Sequence, residues 1–182
     1  LFKIVQDLIA KGVTWEQIVY INFEDERLSE FQKEDFNDIL SVQSELSAER
    51  GYFFFDEIQI VSGWEKFCRR MADAKEHVYV TGSNASMLSR EISTTLGGRY
   101  LTKYVTPYDF DEYLTVQNVP HDTRALLQTK ANGRIRSYCA EYLQYGGFPE
   151  AIQYTAKREY ISSVYQKILL GDIITRNGIR ND

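Results

Sequence analysis

Apolar residues along this chain recur in two periods, one helical and one extended, and each switch between them marks a new element. Phe2, Val5, Leu8 and Ile9 fall at helical spacing and Gly12 follows as a stop, so the chain opens within a helix. Ile18-Val19-Tyr20-Ile21-Asn22-Phe23 is β-branched and aromatic, which predicts a strand running into the acidic cluster Glu24-Asp25-Glu26. Phe36, Ile39, Leu40, Gln43 and Leu46 restore the helical period from Asp35 to Ser47, and Gly51 resets it. Tyr52-Phe53-Phe54-Phe55 is continuous rather than alternating, the pattern of a strand buried on both faces in the middle of a parallel sheet. After Gly63, Trp64, Phe67, Cys68 and Met71 line one helical stripe while Lys66, Arg69, Arg70 and Asp73 fall off it. His77-Val78-Tyr79-Val80-Thr81 predicts the next strand, Gly82-Ser83-Asn84 a turn into a short helix around Leu88, and Tyr100 to Val105 a last strand after the break at Gly97-Gly98.

Strands that alternate with helices at this spacing imply βα units, because a parallel neighbour is reached only through a crossover. Beyond Asn118-Val119-Pro120 the period is helical alone, with helices expected from Ile135 to Tyr145 and from Tyr160 to Ile174, parted by Gly146-Gly147-Phe148-Pro149. The expected organisation is therefore an α/β core over residues 1–117 and a helical subdomain over residues 118–182.

Composition narrows the classes. With 182 residues, 43% hydrophobic and 26% charged, the chain is long enough to bury one sizeable core. A net charge of -5 without a dense Lys/Arg cluster argues against nucleic acid as the partner of these residues. No apolar run reaches the roughly 18 residues of a membrane span, so no membrane contact is expected. Cys68 and Cys139 each sit among helix formers and read as reduced, buried thiols of a cytoplasmic protein. His77 and His121 are too few and too separated for a metal cluster. The opening Leu1-Phe2-Lys3-Ile4-Val5 has neither an initiator Met nor a signal-peptide layout and reads as the continuation of a longer chain.

The sharpest chemical signal is the pair Asp56-Glu57 directly after the apolar strand 52–55. In open parallel sheets ligands bind off the carboxyl ends of the strands, so both carboxylates emerge where a nucleotide would sit. Phosphoryl transfer asks for a metal ion and an oriented nucleophile rather than covalent chemistry. Asp56 suits Mg²⁺ held through its water shell, and Glu57 suits polarisation of an attacking water. The strand at 77–81 ends likewise in small polar residues, where Ser83 or Asn84, with Thr81 as a third candidate, can donate a hydrogen bond to a ligand. The same residue types also make turns and cap helices.

Taken in order, INFEDERL (21–28), FFFDEIQ (53–59), GWEKF (63–67), VTGSNASMLSREI (80–92), GGRY (97–100) and GGFPE (146–150) resemble the prokaryotic AAA-like P-loop ATPases of uncharacterised role. The resemblance covers nearly the whole chain. It implies a mainly parallel sheet flanked by helices with a C-terminal helical lid, and ATP with Mg²⁺ as ligands. By that resemblance Asp56 is the Walker B acid and metal residue, Glu57 the catalytic glutamate, and Ser83 and Asn84 the sensor region. Arg90 and Arg99 are candidates for a γ-phosphate contact, which in trans would require a homo-oligomer. Pro149 resembles a proline that packs a lid against adenine, although after Gly146-Gly147 it also reads as a plain helix breaker. Glu24 and Asp25 match a family segment without a role. The sequence departs from the family in containing no G-x-x-x-x-G-K-[ST] loop and no strand leading into one. These residues alone are therefore expected to bind ATP poorly, and the sheet to lack a strand between 77–81 and 100–105. Two other readings remain open: a nucleotide-dependent switch with negligible turnover, and a DNA-associated module acting through the winged-helix and nuclease-like region that follows in the family.

Overall fold

The computed structural model describes residues 1–82 and 95–170, and the chain divides into two compact units, residues 1–102 and residues 103–182. The first unit is an α/β layer structure around a three-stranded parallel sheet. Its strands β1 (Ile18–Asn22), β2 (Tyr52–Asp56) and β3 (His77–Val80) lie in the order β1-β2-β3, with Tyr20 beside Phe54 and Phe55 beside Val80. The continuous apolar run of β2 follows from this place in the middle: Phe53, Phe54 and Phe55 are all buried.

Successive side chains of a strand point to opposite faces. Phe53 and Phe55 therefore share one face, where they join Phe36 and Ile39 of α2 (Phe36–Leu46) and Trp64, Phe67, Cys68 and Met71 of α3 (Trp64–Asp73) in one apolar cluster. Phe36 stacks on Phe67 at 4.3 Å between ring centroids, joining the two helices. Phe54 points to the other face and stacks on Tyr79 of β3 at 4.7 Å. On that face Tyr20 meets Phe2 at the start of α1 (Phe2–Ala10), whose Val5 is buried. Full burial of each such ring contributes about 2–3 kcal/mol, so the aromatic run of β2 anchors both layers. Gly63 enters α3 with φ 83°, a left-handed conformation that a side chain would strain.

The expected elements from α1 to β3 form within a residue or two of their sequence bounds. The strand expected at residues 100–105 does not form: those residues join no ladder, and Leu101, Tyr104 and Val105 are exposed. A strand exists only with a hydrogen-bonding neighbour, and among the described residues β3 pairs on one edge only, with β2. The expected turn-to-helix around Leu88 lies outside the described residues.

The second unit is helical among its described residues, with α4 (Phe110–Val116), α5 (Thr123–Leu127), α6 (Thr129–Tyr145) and α7 (Lys157–Gln166). Its boundary falls at Thr102/Lys103 rather than at residue 118. The reason is α4, which the strand-based reading left in the core. Asp109 and Glu112 form a reciprocal capping box, Glu112 N donating to Asp109 Oδ1 at 2.8 Å and Asp109 N to Glu112 Oε2 at 3.1 Å. Tyr113 of α4 is then buried against Tyr138 and Tyr142 of α6, at 6.2 and 5.4 Å between centroids. Lys157 of α7 pairs with Glu141 of α6. Gly146-Gly147 ends α6, and Gly147 lets the backbone of Tyr108 pass against it.

Candidate functional site

β2 ends at Asp56, and the chain turns there through Glu57, held at φ 52° and ψ 38°, into the 3₁₀ turn Ile58–Ile60. A residue with a side chain in this left-handed region costs about 1–2 kcal/mol, and such strain collects where a side chain has to be aimed. The turn is pinned by Ile58, fully buried in the core, and by Ile58 N donating to Thr81 O at 3.4 Å.

Three strands contribute to what surrounds Asp56. Tyr20 of β1 donates its hydroxyl proton to Asp56 Oδ2 at 2.9 Å, and the hydroxyl of Thr81, just past β3, donates to Asp56 Oδ1. The Thr81 hydroxyl oxygen also accepts from Glu57 N at 3.3 Å, so one side chain ties the two carboxylate-bearing residues together. Gln59 Nε2 donates to Glu57 Oε2 at 2.5 Å. Burial, then the hydrogen bond and negative charge of Asp56, push the Tyr20 phenol above its ordinary value, so it stays a proton donor. Asp56 and Glu57 are each half-buried, open enough to meet a ligand.

The rest of this edge is polar as well. Asn22 lies in register with Asp56, its Oδ1 accepting from Glu24 N at 2.9 Å, and Phe23 N donates to Asp56 O at 3.0 Å. Asp25 caps the next 3₁₀ turn and takes a forked contact from Arg27, Nε to Oδ1 at 2.9 Å and a terminal NH₂ to Oδ2 at 2.6 Å. These bonds hold the Asp25 carboxyl down at about 2. α1 also opens here, since Phe2 packs on the same Tyr20 ring that reaches Asp56, and its first turn carries no acidic residue.

Of the residues marked by sequence, Asp56, Glu57 and Thr81 come together. Ser83, Asn84 and Arg90 lie outside the described residues. Arg99 pairs with Asp73 at 2.7 Å, at the last residue of α3. Because α3 runs back from the carboxyl end of β2 to the start of β3, this ion pair lies toward the amino ends of the strands, away from Asp56. Pro149 stands in the second unit at the start of the 3₁₀ turn Glu150–Gln153. Sequence reading missed Tyr20 and Gln59. Tyr20 is disguised by its strand period, and Gln59 is visible only as a polar residue two places after Glu57.

Asp56 is the residue here that fits a divalent cation. Each of its oxygens accepts one described hydrogen bond and keeps a further lone pair. The described residues hold no cluster of three or more ligating side chains, and Mg²⁺ asks for none, since it is bound by one or two carboxylates together with substrate phosphates and water.

An uncharacterized protein of Methanocaldococcus jannaschii is 34% identical over 169 residues, covering 91% of this chain and 38% of the relative. An uncharacterized protein of Haemophilus influenzae is 33% identical over 181 residues, covering 96% of this chain and 42% of the relative. The chain thus spans about two fifths of the length of these curated relatives. No solved structure gives a significant match. A family model described as an AAA domain matches residues 1–114, which takes in the whole sheet and both carboxylates of its rim, and the chain belongs to that AAA domain family.

Proposed function

We propose that the protein of which this chain is a part binds ATP with Mg²⁺ and hydrolyses it, with Asp56 as the metal-side acid and Glu57 as the general base. The observation that carries this reading is the placement of adjacent carboxylates at the carboxyl end of the middle strand of a parallel sheet, where α/β folds bind their ligands. Tyr20 and Thr81 fix the plane of the Asp56 carboxylate and leave lone pairs for the water shell of Mg²⁺. When bound, Mg²⁺ would neutralise charge on the phosphate oxygens. Glu57, on a backbone held by Thr81, takes a proton from the attacking water. The amino end of α1 opens at the same edge, and the unpaired N–H groups of a helix start favour phosphate.

This reading also calls for a phosphate-cradling loop, which residues 1–182 do not contain. Ser83 and Asn84 are proposed as sensors of the γ-phosphate, and Pro149 as a residue that contacts adenine. Arg99, paired near the amino ends of the strands, would act as an arginine finger only toward a neighbouring copy, as Arg90 can, and a homo-oligomer would follow.

The test is phosphate release and Mg-ATP binding by the intact protein. Glu57→Gln is expected to lower kcat by about 10²-fold or more while binding persists, the range for loss of a general base. Unchanged turnover refutes the assignment of Glu57. Negligible turnover before and after substitution, with binding retained, would mean a nucleotide switch instead.

A further inference from the structure

Gln59 is the group whose geometry is hardest to explain by stability. Its side-chain N–H donates to Glu57 Oε2 at 2.5 Å, a short contact to an ionisable oxygen. Its own carbonyl oxygen, Oε1, is buried and without a hydrogen-bond partner among the described residues. An apolar side chain at this position would leave no acceptor stranded, so packing alone disfavours glutamine. Rotating the amide would rescue nothing, because it would aim Oε1 at Glu57 Oε2 and set two acceptors against each other. The orientation is therefore dictated by the carboxylate.

The support is rigid. Gln59 sits in the 3₁₀ turn between Ile58, fully buried, and Val61, also buried, and the turn is tied to β3 through Thr81 O. Glu57 in turn is held in a left-handed backbone conformation, with φ 52°. Two residues at a local cost thus converge on one carboxylate, and a cost retained at a specific place marks a demand other than folding.

We propose that Gln59 is a positioning residue for Glu57, its amide holding the carboxylate in the one orientation from which it accepts a proton from water. The proposal rests on the reading of Glu57 as general base. It predicts opposite movements of stability and activity. In the intact protein, Gln59→Leu removes the donor together with the stranded acceptor, so the melting temperature stays level or rises while kcat falls about tenfold or more and the Kd for Mg-ATP is unchanged. Gln59→Glu, equal in length, also loses the donor and brings a second acid beside Glu57, so kcat falls at least as far whatever Leu does to folding. Turnover at the unsubstituted level in either folded variant, with Glu57→Gln still inactive, overturns the role of Gln59 alone. A parallel fall in melting temperature, kcat and affinity in both variants also overturns it, since that is the signature of a packing residue. Failure of the base assignment reads differently, as turnover undiminished by Glu57→Gln.

Discussion

Replacing Gly147 by alanine tests how tightly the GGFPE segment is built. A Cβ placed on Gly147 lies 1.9 Å from Tyr108 O, 2.8 Å from its carbonyl carbon and 3.0 Å from the Tyr142 ring. Ordinary contact begins near 3.4 Å, so two stretches of backbone would have to part by about 1.5 Å. Gly147 has no left-handed φ, and crowding alone is at issue. The same two residues are joined by Tyr108 N donating to Gly147 O at 2.8 Å, and Tyr108 O accepts from the Tyr142 hydroxyl at 2.9 Å. Parting them gives up the first bond and strains the second. At about 1 kcal/mol net for each bond, and more for a group left unpaired, the loss comes to about 3 kcal/mol. Urea titration of the intact protein, followed by amide exchange at Tyr108 and Tyr142, reads it out. Exchange at those amides is expected to accelerate by about 10²-fold, the factor equivalent to that loss. An effect below about 1 kcal/mol, or acceleration under about fivefold, would refute the close approach of the two backbone segments.

Thr81→Val keeps the shape of the side chain but removes the donor to Asp56 and the acceptor of Glu57 N. It is expected to cost about 2 kcal/mol in urea unfolding, as for a hydrogen bond to a charged group, and to raise the Mg²⁺ concentration that half-saturates turnover; a neutral variant by both measures would detach Thr81 from the site. Asp25 titrates near 2 because Arg27 stabilises its charged form, which is a depressed folded-state value. Its stabilising contribution is therefore full above the ordinary carboxylate range and fades as pH falls toward 2. Carboxyl NMR should find that midpoint low and find it raised in Arg27→Gln; an equal midpoint in both proteins would sink the pairing.

The layout of elements was legible in the chain because burial writes a local period. The stripe Trp64, Phe67, Cys68, Met71 is the inward face of α3, and the uninterrupted Tyr52 to Phe55 run is the middle strand. The site was legible to the extent that it is contiguous: Asp56 and Glu57 follow one strand and need no other element to be noticed. Tyr20 is 36 residues from Asp56, and only the parallel register of β1 on β2 brings its hydroxyl there. The hydroxyl of Thr81 needs the pairing of β3 in the same way.

What the sequence determined by itself, then, is each segment's preference for helix or strand, and the acid pair at a strand end, since both depend on residues within a few places of one another. The tertiary structure alone decided which segments became strands, which residues surround the acids and where the units divide. Residues 100–105 have strand-forming side chains but no ladder among the described residues, because pairing is a property of two segments. Arg99 belongs with Glu57 in the ordered set of motifs but is held by Asp73 at the far end of α3, because a crossover helix carries the chain from the carboxyl ends of the strands back to their amino ends. Tyr113 draws α4 into the second unit for the same kind of reason: its ring finds Tyr138 and Tyr142, and a contact between distant residues is decided only when the chain has folded.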